Sequence, residues 1–205
     1  NYGSDWHNTK GLFTHWKDAD KALEDPKIDI VYIFGGNRGG KSRYMASRVV
    51  RTLANKARSA VWCCHSTHDS SVQVQQPYVH EYLPVPWKEQ RKGQRAVVNI
   101  GFSQKNGFSN KTFVAPNGSQ CWFKNYSQEL SAMEGTELDL IWCDELVPLA
   151  WIQTLKYRLI SRKGKLVVTF TPIEGFTSTV KDAMDGAIIE ETRDAKLIGK
   201  DDNPI

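Results

Sequence analysis

The chain has 205 residues, 40% of them hydrophobic and 24% charged, and a formal net charge of +4 at pH 7. These are ordinary globular values, enough for one α/β domain with a sizeable core and too few residues for two comfortable ones. No run approaches the roughly 18 apolar residues of a membrane span and nothing at the N-terminus resembles a signal peptide, so a soluble, intracellular protein is expected. The mild positive balance permits contact with nucleic acid without arguing for it.

Four cysteines, Cys63, Cys64, Cys121 and Cys143, lie inside apolar, strand-like runs, which suits buried reduced thiols better than a disulfide framework. Cys63, Cys64, His65 and His68 do not follow a standard zinc spacing, and no second ligand pair follows them. The sequence starts at Asn1 and stops at a polar Asn203-Pro204-Ile205 segment, so it reads as a piece of something longer.

In chain order, residues 1–26 are polar, with Leu12, Phe13, Trp16, Ala19 and Leu23 at helical spacing. A helix is predicted there, and Phe13 and Trp16 fit packing better than contact with an adenine ring. The β-branched run Ile28 to Phe34 predicts a buried strand. It is followed at once by Gly35-Gly36-Asn37-Arg38-Gly39-Gly40-Lys41-Ser42, which fits the phosphate-binding pattern G-x-x-x-x-G-K-[ST] at every specified position. The glycines let the backbone turn so that several N–H groups point at one anion, and residues 44–50 continue as a helix. In such a loop Lys41 reaches the β and γ phosphates and the Ser42 hydroxyl ligates Mg²⁺.

Residues 59–64 predict a short buried strand, and Asp69 to Leu83 a helix stopped by Pro84 and Pro86. The segment Lys88 to Lys111 carries Lys88, Arg91, Lys92, Arg95, Lys105 and Lys111 against Glu89; it reads equally as a solvated loop or as a surface facing nucleic acid or another subunit. Thr112–Val114 and Gln120–Phe123 flank Pro116-Asn117-Gly118, the signature of a β-hairpin.

Residues 138–143 predict another strand, closing on Asp144-Glu145. Alone, two acids after a strand often cap a helix. Joined to a phosphate loop about one hundred residues earlier, they fit a site in which Asp144 supports hydrated Mg²⁺ and Glu145 polarises an attacking water. Pro148 to Ser161 is expected to be helical. Lys165 to Phe170 then predicts a strand ending near Thr171, because Pro172 cannot continue a central ladder. Right-handed crossovers put the acids and Thr171 on the phosphate-loop side of one sheet, where the hydroxyl either senses a γ-phosphate or caps the turn.

Three blocks together resemble the ATPase part of a bacteriophage large terminase subunit, the motor that packages double-stranded DNA into a procapsid. They are GGNRGGKS at 35–42, EGTELDLIWCDE at 134–145 with Val147-Pro148 after it, and RKGKLVVTFTPIEG at 162–175. The resemblance spans about Ile28 to Thr179. It implies ATP and Mg²⁺ as ligands, phosphate binding by residues 35–42, metal support by Ser42 and Asp144, and catalysis by Glu145 with Lys41. It also implies a coupling role for Thr169 to Pro172. Arg38 lies inside the loop, where a guanidinium can stabilise charge on the departing γ-phosphate in cis. Arg91 and Arg95 are candidates for an arginine supplied by a neighbouring subunit.

The implied partners are double-stranded DNA, further copies of the chain in a ring, a portal protein and a small terminase subunit. The implied location is the host cytoplasm, and transiently the procapsid portal vertex. Family members continue into a nuclease domain. The acids after Gly175, namely Asp182, Asp185, Glu190, Glu191 and Asp194, are too few and too near the end to build one, so no nuclease activity is expected of this chain.

The expected fold is α/β, a P-loop NTPase of the additional-strand type. It has a mostly parallel sheet flanked by helices, an inserted β-hairpin, and the strands of the phosphate loop, the acids and Thr171 at its centre. Residues 1–180 are expected to be the ATPase domain, with 1–27 as a helical lead-in and 181–205 beginning a linker. The competing readings are a helicase-like translocase, whose second motor domain has no room here, and a nucleotide-binding docking module without turnover.

Overall fold

The structure, a computed structural model, describes residues 15–88, 100–128, 135–145, 147–171 and 177–187. Helix α1 (His15–Glu24) leads into β1 (Ile30–Phe34), then α2 (Lys41–Asn55) and β2 (Ala60–His65). A helical run follows as α3 (His68–Ser70), a π turn (Ser71–Gln75), α4 (Gln76–Tyr82) and the short α5 (Val85–Lys88). Next come the small pair β3 (Phe102–Ser103) and β4 (Gly107–Phe108), β5 (Thr112–Val114) and β6 (Gln120–Asn125). The chain continues through β7 (Leu140–Asp144), α6 (Leu149–Tyr157), β8 (Lys165–Phe170) and α7 (Ser178–Asp185).

Six strands form one sheet in the order β1-β8-β7-β2-β6-β5, parallel throughout except where β5 returns against β6. Strand alternation divides the side chains between two layers. Val31, Ile33, Trp142 and Val167 pack with α1, α2 and α4 on one face. Ile141, Cys143, Val168 and Phe170 pack with α6 and α7 on the other. A parallel sheet buried on both faces explains why β2 and β7 read as unbroken apolar runs, buried at every position. This is the expected α/β architecture of the additional-strand type: β8 lies between the phosphate-loop strand and the acid-bearing strand.

Several local expectations change in detail. Among the described residues β1 stands at the end of the sheet, bonded to β8 alone, rather than at its centre, and its residues are only half-buried. The hairpin forms at the predicted turn, and β6 joins the main sheet parallel to β2, so the insertion widens the sheet. The helix expected at 69–83 contains a π turn. Pro77 lacks an N–H and its ring would crowd the carbonyl four residues back; the wider turn, in which the Gln76 N–H reaches Ser71 O, accommodates it. Helix α6 stops at Tyr157, short of Ser161. The four thiols are buried and free.

The lead-in helix is tied to the loop helix: Trp16 stacks on Tyr44 with centroids 4.5 Å apart, and the Tyr44 hydroxyl donates to Asp20 at 2.8 Å. At the other end of the sheet Gly164 passes so close to β7 that a Cβ there would lie 2.3 Å from Leu138 O and 2.9 Å from Asp139 O. Glycine is required at that crossing. Position 180 falls within α7, which packs through Val180 and Ala183 while the Thr179 hydroxyl donates to Val147 O at 3.1 Å. Among the described residues no helix is long and apolar enough to cross a membrane.

Candidate active site

Because β1, β7 and β8 run parallel, their C-terminal ends open on one edge of the sheet. From β1 the chain turns through residues 35–40, where the Gly39 N–H donates to Gly36 O at 3.3 Å. Gly40 adopts φ 80 and its carbonyl accepts the Tyr44 N–H at 2.9 Å, starting α2. Arg38 holds φ 63 although it carries a Cβ, a conformation costing roughly 1–3 kcal/mol for a non-glycine residue. Its side chain is exposed on the loop.

Lys41, the first residue of α2, is 9% exposed. An ammonium has three donors, and three acceptors meet this one: Gly35 O at 2.8 Å, Gly36 O at 2.9 Å and Thr171 Oγ1 at 3.0 Å. Thr171, having accepted from a group that can only donate, gives its own proton to Asn37 Oδ1 at 3.1 Å. The end of β8 is thereby bonded to two residues of the loop. Burial lowers the Lys41 pKa, and the charges of Asp144 and Glu145 pull it back up.

Asp144 ends β7 and is 2% exposed. Its Oδ1 accepts the Thr169 hydroxyl at 2.7 Å, while Oδ2 is buried without a hydrogen-bond partner among the described residues. Burial raises its pKa; Thr169, the nearby Ser42 hydroxyl, the Glu145 N–H and Lys41 act in the other direction. Glu145 is exposed and turns sharply out of the strand at φ 67, its N–H donating to Thr169 O at 2.8 Å. One threonine therefore holds both acids, Asp144 by its side chain and Glu145 by its carbonyl.

The structure brings Asn37, Lys41, Ser42, Asp144, Thr169 and Thr171 together, with Arg38 and Glu145 exposed at the margin. Arg91, Arg95 and Pro172 to Gly175 lie outside the described residues. The T-x-T spacing explains why both threonines reach this site: with a period of two, Thr169 and Thr171 share the α2 face. Chemically, a helix N-terminus, loop N–H groups and an ammonium form a cradle for a phosphate chain, faced by two carboxylates.

Mg²⁺ fits the donors present. It takes oxygen ligands, often one or two carboxylates together with substrate phosphates and water. Asp144 Oδ2 is an orphaned buried anionic oxygen and Ser42 supplies a hydroxyl beside it. Among the described residues no group of three or more His, Cys, Asp or Glu side chains could hold an ion alone.

Residues 32–199 match the sequence family described as terminase large subunit, T4likevirus-type, N-terminal. The chain belongs to that family. Among solved structures, the large terminase of a thermophilic bacteriophage superposes with a TM-score of 0.54 at 17% identity, over 84% of this chain and 41% of that one. The same phage protein in complex with ADP gives 0.54 at 16% identity, over 85% and 43%. The large terminase ATPase domain of Thermus phage P74-26 gives 0.48 at 19% identity, over 69% and 58%. At identities this low the two matches at 0.54 speak to the fold alone. The terminase chain thus spans about two fifths to three fifths of these solved proteins. No curated protein sequence matches it.

Three residues around the terminase site escaped the sequence reading. Trp142 donates its indole N–H to Thr169 Oγ1 at 2.8 Å; its position two residues before Asp144 on one strand placed it on the same face. The Tyr126 hydroxyl donates to Asp144 O at 2.9 Å from a turn beyond β6, which no local pattern announces. His65, buried at the end of β2, accepts the Ser66 N–H on Nδ1 at 2.9 Å; burial lowers its pKa, and the Glu145 charge opposes that.

Proposed function

We propose that this terminase chain hydrolyses ATP with Mg²⁺ and that the reaction drives double-stranded DNA into a viral procapsid. The observation that best supports hydrolysis is the convergence of Lys41, Asp144 and Thr171 at one sheet edge, with Lys41 bonded to the end of β8 at 3.0 Å. Membership of the large-terminase family supports the DNA-packaging half of the reading.

In this reading the backbone N–H groups of residues 35–42, including Gly35, Gly36, Asn37, Gly40 and, once it leaves Gly36 O, Gly39, cradle the phosphates. Lys41 exchanges a bond to a loop carbonyl for one to a phosphate oxygen. Ser42 and Asp144 Oδ2 hold the metal, which when bound neutralises charge developing on the phosphates. Glu145 orients the attacking water and takes up its proton. Arg38 approaches the γ-phosphate from the same subunit. Loss of that phosphate alters the Lys41–Thr171–Asn37 contacts, and Thr169 and Thr171 carry the change into β8.

The partners in this reading are duplex DNA, further copies of the chain in a ring, a portal protein and a small terminase subunit. The setting is the host cytoplasm and the portal vertex. Residues 1–180 act as the ATPase domain, and those from 181 on lead toward a linker.

The test is phosphate release from ATP by the purified chain. Wild type should turn over with Mg²⁺, and Lys41→Ala should fall roughly 100-fold or more, the loss typical of removing a charge-stabilising donor. Turnover retained in Lys41→Ala would remove this loop from the mechanism. A wild-type chain that binds ATP but releases no phosphate at any concentration would favour a docking module.

A further inference from the structure

Trp142 and Asp144 lie two apart on β7, and Asp144 stands opposite Thr169 in the β7–β8 ladder, so all three side chains share the face under α2. The Trp142 Nε1 to Thr169 Oγ1 distance is 2.8 Å and the Thr169 Oγ1 to Asp144 Oδ1 distance is 2.7 Å. Trp142 and Thr169 are fully buried and Asp144 nearly so. An indole N–H can only donate. It therefore occupies a lone pair of the Thr169 hydroxyl and leaves that hydroxyl's single proton for the carboxylate.

The polarity of this chain is fixed from one end. Oδ1 must accept, and Oδ2 is the oxygen left without a partner among the described residues. A phenylalanine at 142 would fill much of the same space yet leave the hydroxyl free to rotate away from Asp144. Since Thr169 O also accepts the Glu145 N–H at 2.8 Å, the residue so fixed anchors both acids.

We propose that Trp142 is a positioning residue which, through Thr169, orients the Asp144 carboxylate so that Oδ2 is the oxygen offered to the nucleotide's metal. This rests on reading the site as one for Mg²⁺ and nucleotide. Residues that hydrogen-bond a metal ligand typically change metal affinity 10–100-fold when removed.

The experiment is equilibrium binding of a fluorescent ATP analogue to the full chain, titrated with Mg²⁺, with thermal melting to monitor folding. Trp142→Phe and Thr169→Val should raise the Mg²⁺ concentration for half-maximal effect about tenfold or more, and Trp142→Phe should leave nucleotide affinity in EDTA unchanged. Thr169→Ser, which keeps the hydroxyl, should restore the wild-type midpoint. If Trp142→Phe fails to fold, the sulfur isostere of tryptophan, 3-benzothienylalanine, placed at 142 keeps the volume without the N–H and should shift the midpoint as well. A wild-type Mg²⁺ midpoint in the Phe variant or the isostere overturns the proposal, as does Thr169→Ser behaving like Thr169→Val. Asp144→Asn separates the two levels. If it loses the Mg²⁺ effect while Trp142→Phe keeps it, the positioning role fails alone; if it keeps the effect, the metal reading fails and takes the positioning role with it.

Discussion

Replacing Asp144 by asparagine should make the metal-free protein more stable while removing its response to Mg²⁺. The carboxylate is 2% exposed and one of its oxygens has no hydrogen-bond partner among the described residues. A buried polar group left unsatisfied costs roughly 1–3 kcal/mol. Asparagine still accepts from Thr169 and its neutral NH2 takes the place of Oδ2 with the Ser42 hydroxyl nearby, but it loses the charge on the Thr169 bond and the attraction to Lys41, which offsets on the order of 1 kcal/mol. The net gain is about 0–2 kcal/mol, at most roughly 4–8 °C in Tm for a chain of this size.

Burial raises the folded-state pKa of Asp144, so the cost of its charge is fully present above that pKa and fades as pH falls through it. The Tm gap between variant and wild type in EDTA should therefore narrow in acid. Differential scanning calorimetry in EDTA, then with Mg²⁺ and ADP, across pH measures both effects. Asparagine lowering the Tm in EDTA at neutral pH would refute the claim that this carboxylate is held at a cost for the sake of a metal.

Other outcomes follow from the same geometry. Gly164→Ala would put a methyl 2.3 Å from the Leu138 carbonyl just before β7, so it should lower stability by about 1–3 kcal/mol, read as a lower Tm; an unchanged Tm would contradict the crossing. The ATPase rate per subunit should rise with protein concentration if a second arginine comes from a neighbouring copy, and a rate flat across a dilution series would count against that. The roughly 100-fold or greater loss of turnover in Lys41→Ala should come without unfolding the chain, as phosphate release and a thermal melt together would show.

Much of this site was legible in the sequence because its parts are local. A loop with Lys41 and Ser42 after a strand, two acids after another and a T-x-T at a third need only period-two alternation and right-handed crossovers to converge. What the sequence left out depends on contacts between distant strands. That Thr169 holds both acids needs the β7–β8 register, in which Asp144 faces Thr169. That β1 stands at the end of the described sheet follows from pairing choices that its own residues do not encode. The π turn is intermediate: Pro77 was visible within the predicted helix, but the wider turn was one of several ways to accommodate it. Arg38 and Glu145 were picked by their places inside the phosphate loop and after the acid-bearing strand; their left-handed backbones, at φ 63 and 67, were announced by no sequence pattern.

The central claim is that a nucleotide bound beside Lys41 is cleaved under the control of Glu145. Single-turnover phosphate release by Glu145→Gln, with ATP-analogue binding measured on the same preparation, tests it most directly. Binding should match wild type while phosphate release falls by roughly 100-fold or more. Release at the wild-type rate from a variant that binds normally would contradict the account.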